Sequence, residues 1–191
     1  MSLLQENILH HLSAMAPLSA AAAAALTSCC QLRKLPKNHL LVHSGDHSDK
    51  LFFVVQGALR AYFLQDEKDI TDWFAFENNF ITAIVSFLGQ VPSPHQIETM
   101  EPSLVLVIDR HDLEIICRQH PDMEHLYRLC LADTLLKLQQ HIIAQRYKTA
   151  ADRYAALISS QPGVVNRVPL KHIASYLGIS QESLSRIRGR R

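Results

Sequence analysis

Residues 170–191 read LKHIASYLGISQESLSRIRGRR. Apolar side chains stand at Ile173, Leu177, Ile179, Leu184 and Ile187, and Ala174 is small where a second helix has to cross closely. Gly178 sits where a tight turn needs a residue tolerant of positive φ. Ser180 is placed to cap the helix that follows. Two short helices joined by a glycine turn make a helix-turn-helix, and this spacing predicts one. At about 100° per residue, Gln181, Glu182, Ser185 and Arg186 share an arc of about 140°, with Leu184 and Ile187 on the other side. Such an arc can read base edges: Gln can bond adenine, Glu can accept from cytosine N4, and Arg can fork onto guanine O6 and N7. Lys171, Ser180, Arg188, Arg190 and Arg191 are then expected at phosphates, where contacts position without specifying.

The charge distribution points the same way. From Arg146 to Arg191, nine Lys or Arg stand against Asp152 and Glu182, a net +7; from Met1 to Gln145, ten stand against sixteen, a net −6. An acidic body with a basic end predicts two modules, the second meeting a polyanion, here double-stranded DNA.

Just upstream, DMEHLYRLCLADTLLKLQQHIIAQRY runs without Gly or Pro, and Pro121 can sit in its first turn. About 25 residues of helix span roughly 37 Å. Leu131, Leu135, Leu138 and Ile142, spaced four, three and four, form one seam; Leu129, Leu136 and Ile143, spaced seven, form a second stripe. One stripe is expected against the body of the chain and the other against a partner helix, giving a homodimer. A helix is also predicted over His111 to Gln119. AADRYAALISS after Thr149 makes another, ended by Pro162-Gly163, and VVNRV reads as a short strand or extended link. Near the start, Ser19 is the expected N-cap of an alanine-rich helix ending near Cys30.

Between Leu32 and Asp109 the texture is different. HLLVHSGD, KLFFVVQGALRAYFL, DITDWFAFENNF and HQIETMEPSLVLVID are β-prone runs, punctuated by Gly45-Asp46, Gly57, Asp66-Glu67, Asn78-Asn79 and Pro92. Short strands with turns at roughly ten-residue spacing predict an antiparallel sandwich, barrel or roll, and ITAIVSFLGQ a short helix between strands. The fold class is therefore α+β: an N-terminal antiparallel β-roll, jelly-roll-like, with flanking helices, then a long dimerisation helix and a C-terminal helix-turn-helix. The expected domains are residues 1–120, 121–146 and 147–191.

This layout resembles the Crp/Fnr superfamily of bacterial transcription regulators. LPKNHLLVHSGDHSDKLFFVVQGALRAYF is similar to that family's opening roll strands, with Gly45 and Gly57 at its turn glycines. IETMEPSLVLVIDRHDLEII resembles the closing strands and the helix after them. IASYLGISQESLSRIR resembles the DNA-reading pair, with Gln181, Glu182 and Arg186 at its base-contact positions. The resemblance implies a dimeric, sequence-specific DNA-binding regulator that contacts RNA polymerase. Family members that bind cyclic AMP carry a Gly-Glu step and an Arg followed by Ser or Thr. Here Thr82 stands near the Glu position and Ser93-Pro94 where Arg-Ser is expected, and no Lys or Arg lies between Lys68 and Arg110. The pocket is thus expected to persist without cyclic-nucleotide chemistry. Trp73, Phe74, Phe76 and Phe80 read as core of the roll. The family places its effector in the roll interior, which makes Trp73, Phe80, Thr82 and Ser93 candidates to touch an unidentified small molecule, if there is one. Arg191 follows the second helix almost at once, so the family's C-terminal wing hairpin is not expected.

Other classes find little support. The longest apolar runs, Ala20 to Ala25 and Leu104 to Ile108, are far short of the roughly 20 residues of a membrane span. MSLLQENILHH lacks the basic and apolar regions of a signal peptide, so no membrane partner and a cytoplasmic location are expected. Cys29, Cys30, Cys117 and Cys130 have no C-x-x-C spacing and read as reduced, mostly buried thiols. His39, His43 and His47 fall on strand and turn, where four residues span about 13 Å, too far to share one ion. No metal or cofactor is expected. His-x-His, G-x-S-x-G and P-loop motifs are absent, so the chain is not read as an enzyme. The other reading is a ligand-sensing roll acting on a protein partner without DNA.

Overall fold

The computed structural model describes residues 3–66 and 68–189. Two helices open the chain, α1 (Leu3–Met15) and α2 (Ala20–Cys29). Six strands follow: β1 (Gln31–Leu35), β2 (Leu40–Val42), β3 (Lys50–Gln56), β4 (Leu59–Gln65), β5 (Lys68–Ala75) and β6 (Phe80–Ile81). Helix α3 (Ile84–Gly89) leads to β7 (Gln96–Thr99) and β8 (Ser103–Asp109). The rest is helical: α4 (Arg110–Gln119), α5 (Pro121–Tyr147), α6 (Ala150–Ser160), α7 (Val164–Arg167), α8 (Leu170–Tyr176) and α9 (Gln181–Gly189).

The strands form two antiparallel sheets, in the orders β1-β8-β3-β6 and β2-β7-β4-β5. Successive side chains on a strand point to opposite faces, and this divides the apolar residues among three cores. Phe52 and Val54 of β3, with Val105 and Val107 of β8, fill the space between the sheets. Phe53, Leu106 and Ile108 on the same two strands face outward and pack under α1, α2, α4 and the start of α5. On β5 the alternation has a further result. Phe74 faces a third core made with Tyr154, Leu157, Ile173 and Leu177 of the C-terminal helices, while its neighbour Trp73 packs on the roll interior. Phe74 and Phe76 therefore belong to the junction with the C-terminal helices and not to the roll core, as their sequence had suggested.

Local signals account for most boundaries. The Ser19 hydroxyl accepts from Ala22 N–H at 3.2 Å, and Asp122 accepts from Ser19 N–H at 2.6 Å, fixing the start of α2 to the start of α5. Pro121 occupies the first turn of α5, which runs 27 residues. Thr149 and Asp152 form a reciprocal capping box for α6. Gly57 has φ +105°, and a Cβ there would lie 2.3 Å from the Ser103 hydroxyl, so the β3–β4 turn admits only glycine.

Two segments depart from expectation. VVNRV contains the helical turn α7 instead of a strand, because Val164 and Val168, four apart, both enter the third core. Burial there overrides the β preference of valine. Helix α1 had not been anticipated; Ile8, Leu12 and Ala16 recur every four residues and are buried. The four cysteines are free and only partly exposed. No helix among the described residues is long and apolar enough to cross a membrane.

Candidate functional site

Helices α8 and α9 meet at Gly178, whose φ is +67°. Ile179 N–H donates to Ala174 O and Gly178 N–H to Ser175 O, each at 3.0 Å. This is the paired hydrogen bonding of a glycine-terminated helix end. The Ser180 hydroxyl accepts from Ser183 N–H at 3.2 Å and so starts α9. Leu184 is fully buried against Ile173 and Leu177, with Ile187 beside it. Gln181, Glu182, Ser185 and Arg186 all lie exposed on the opposite side, as the helical spacing requires. Arg186 donates to the Ser183 hydroxyl at 3.1 Å, which steadies the guanidinium at the surface. Lys171, Ser180 and Arg188 are exposed, although the Ser180 hydroxyl already serves as the cap. Arg190 and Arg191 lie outside the described residues.

The other side of α8 is docked on the roll. β5 is an edge strand, and α8 covers part of that edge. The Ser175 hydroxyl accepts from Thr71 N–H at 2.9 Å and donates to Asp69 O at 3.1 Å. Beneath it lies Arg60, only 2% exposed. Its guanidinium forks onto Asp69 at 2.9 and 2.8 Å and reaches Glu98 at 2.7 Å and Thr71 at 2.9 Å. The Arg60 hydrogen bond holds the Asp69 carboxyl below the usual carboxylate range. Arg167 of α7 makes a second fork, to Glu77 at 2.9 and 2.7 Å, and also bonds Glu101 at 3.0 Å. His172, buried on α8, points Nδ1 toward Asp69 at 3.5 Å without a hydrogen bond. The partners of Ser175 and Arg167 stand 66 to 106 residues away in the chain, and no local pattern announces them.

Trp73, Phe80 and Thr82, all expected at an effector site, line a cavity of about 140 Å³ between the roll, α3 and α5. Ser93 does not line it: its buried hydroxyl donates to His95 O. The wall is mostly apolar, with Phe87, Leu126 and Leu138 among its residues. Its charged side chains are Asp72 and His95, which pair at 3.3 Å; that contact holds the Asp72 carboxyl below its usual range. No Lys or Arg lines the cavity. The Thr82 hydroxyl donates to Lys50 O at 2.8 Å and Thr134 donates to Cys130 O at 2.8 Å. A cyclic nucleotide's phosphate would find an aspartate here and no cation, so these residues do not fit that ligand.

Helix α5 forms one wall of this cavity. Its face toward the body includes Thr134, Leu138, His141 and Gln145, and so cuts across the stripes read from the leucine spacing. His141 lies 6.2 Å from the Trp73 ring and 5.0 Å from the Tyr176 ring, and Gln145 donates to Tyr176 O at 3.1 Å. Of the expected seam, Leu131 and Leu138 turn toward the cavity while Leu135, 68% exposed, and Ile142 face solvent. Leu136 and Ile143 are exposed as well, and Leu129 packs on the N-terminal helices. Leu135, Leu136, Ile142 and Ile143 thus form the exposed apolar face of α5.

Residues 32–120 match the family described as the cyclic nucleotide-binding domain. The chain is 25% identical to Electron transport regulator A of Shewanella oneidensis over 178 residues, covering 83% of this chain and 68% of that protein. FixK2 from Bradyrhizobium japonicum superposes with a TM-score of 0.71 at 20% identity, covering 84% of this chain and 83% of its own. A Eubacterium rectale structure described as a crp/fnr-family transcriptional regulator gives a TM-score of 0.68 at 18% identity, covering 89% and 82%. Residues 32–120 are thus similar to the cyclic nucleotide-binding domain, and the chain as a whole shares the fold of these solved structures.

Proposed function

We propose that this protein is a dimeric transcription regulator that reads duplex DNA with α9, two copies being joined along α5. In this reading residues 1–120 form the sensor, 121–146 the dimerisation helix and 147–191 the DNA-binding unit. The observation that carries it is the division of α9: Leu184 and Ile187 anchor one side, and Gln181, Glu182, Ser185 and Arg186 are exposed together on the other. A fully formed glycine turn presents that polar side away from the roll. The names of the relatives, a regulator of electron transport and a transcriptional regulator, agree with this role. The cavity without a cation argues against cyclic AMP as effector.

Two-fold symmetry places the two α9 helices in successive major grooves, so half-sites should lie about one helical turn apart, roughly 34 Å. Selection of bound sequences from random duplex DNA checks this. The expected product is an imperfect inverted repeat at that spacing. Absence of any enriched sequence would favour the other reading, a sensor roll that acts on a protein partner.

A further inference from the structure

We infer that Cys29 and Cys30 form a binding site for a trivalent arsenical, which takes both thiols at once. The two cysteines are neighbours in sequence and stand where α2 passes into β1. Cys29 is the last residue of the helix, and Cys30 caps it, its N–H donating to Leu26 O at 3.2 Å. The Cys29 thiol donates to the same carbonyl at 3.2 Å, and the Cys30 thiol turns toward the Cys29 sulfur. The two sulfurs thus lie side by side, free and partly exposed. Among the described residues no group of three or more Cys, His, Asp or Glu is gathered to hold a metal ion. A site of two thiols suits trivalent arsenic, which prefers soft sulfur donors, is pyramidal and brings its third substituent with it.

The thiolate is the attacking form of cysteine, and the four cysteines differ in how readily they reach it. The Cys30 thiol lowers the pKa of Cys29, against burial and the Asp112 carboxylate. Cys30 is the donor of that hydrogen bond and so holds its own proton more tightly. Cys117 is pushed up to about 11 by burial and Glu124, and Cys130 is raised by burial and Asp133. Capture therefore begins at the Cys29 sulfur and closes at Cys30. The hydrated arsenical carries two hydroxyls. Each As–O bond is replaced by an As–S bond, and each leaving hydroxyl departs with a thiol proton as water. Arsenic stays trivalent and neither sulfur is oxidised, so the step needs no oxidant. Neither cysteine lines the cavity between the roll and α5.

This inference does not depend on DNA binding. The full chain, reduced with a phosphine, is mixed with an equimolar amount of phenylarsine oxide. Two of the four free thiols should disappear from a count made after unfolding, and the mass should rise by a single phenylarsenic group. Excess mercaptoethanol should leave the adduct in place, whereas ethanedithiol should restore every thiol, since only a dithiol competes with a chelate. Cys29→Ser and Cys30→Ser should each weaken capture by about a hundredfold or more, because the second bond is then lost. Cys117→Ser combined with Cys130→Ser keeps the pair, so it should capture the probe as the unaltered chain does and lose both remaining thiols. That double variant decides the matter even where a single replacement disturbs the joint between α2 and β1, and thermal midpoints show which variants are folded. Loss of one thiol or none, release by mercaptoethanol, or weaker capture by the Cys117, Cys130 double variant would overturn the inference. So would unchanged capture by a folded Cys29→Ser or Cys30→Ser chain.

Discussion

Arg186 and Arg188 show what position on a helix adds to charge. Both are exposed, cationic and in the last turn of α9. Arg186 shares the polar arc with Gln181, Glu182 and Ser185, and its guanidinium is steadied by Ser183. Arg188 falls outside that arc. Arg186→Ala should therefore cost about 1–3 kcal/mol on the preferred sequence and relax the preference at one base pair of each half-site. Arg188→Ala should weaken all sequences alike and lower the salt slope by about one. Quantitative binding to operator variants at several salt concentrations distinguishes the two. Equal, uniform losses would make the segment a basic anchor with no reading function. The identity of these side chains and their shared face were legible in the sequence, because a nine-residue helix with one buried side has only one way to point its polar residues.

At the scale of the element, α5 carries more exposed large apolar side chains than any other element among the described residues. Leu131, Leu135, Leu136, Ile142 and Ile143 are exposed on one helix, a concentration that marks an interaction surface. Burying a Leu or Ile contributes about 1.5–3 kcal/mol, and a glutamate in its place brings an unpaired charge into the contact. Leu135→Glu combined with Ile142→Glu should give monomers by light scattering where the unaltered chain gives dimers. Leu138 is left alone in this test because it also walls the cavity. A dimer mass that survives the double change would place the interface elsewhere. The leucine spacing identified a surface in need of cover. It left out His141 and Gln145, which make the contacts to Trp73 and Tyr176 beside the leucines that face the body.

For the whole molecule, the junction between roll and C-terminal helices holds two histidines, His141 and His172, that bear on pH. Burial lowers the affinity of His172 for a proton, assisted by Arg60 and Lys171 and opposed by Asp69 and Glu98. Burial lowers that of His141 likewise, with Asp72 opposing and Arg153 assisting. Above about 6.5, the ordinary histidine value, both folded and unfolded chains hold these rings neutral and the stability is full. As pH falls below it, the unfolded chain takes up protons that the folded chain refuses, and stability declines. The thermal midpoint should therefore drop between pH 7 and pH 5, and His172→Gln should flatten part of that slope. An unchanged slope in the variant would show that His172 does not titrate against the docked helices. The same junction joins the two candidate sites: Trp73 faces the cavity and the adjacent Phe74 packs 5.2 Å from Tyr176 of α8.

What the sequence determined by itself was everything that depends on near neighbours. Ser19, Thr149 and Ser180 start helices, Gly57 and Gly178 make turns, alternation makes strands, and residues 170–189 form a helix-turn-helix. Each is decided within a turn or two of chain, where residue type and backbone geometry are directly coupled. Tertiary structure alone decided the rest. It made VVNRV a helical turn by burying Val164 and Val168 together. It set Arg60 among Asp69, Thr71 and Glu98, and Arg167 between Glu77 and Glu101, across separations at which the chain carries no periodic signal. It also gave the cavity its chemistry, since the missing cation could be read from the sequence but the pairing of Asp72 with His95 on an apolar wall required the roll to close.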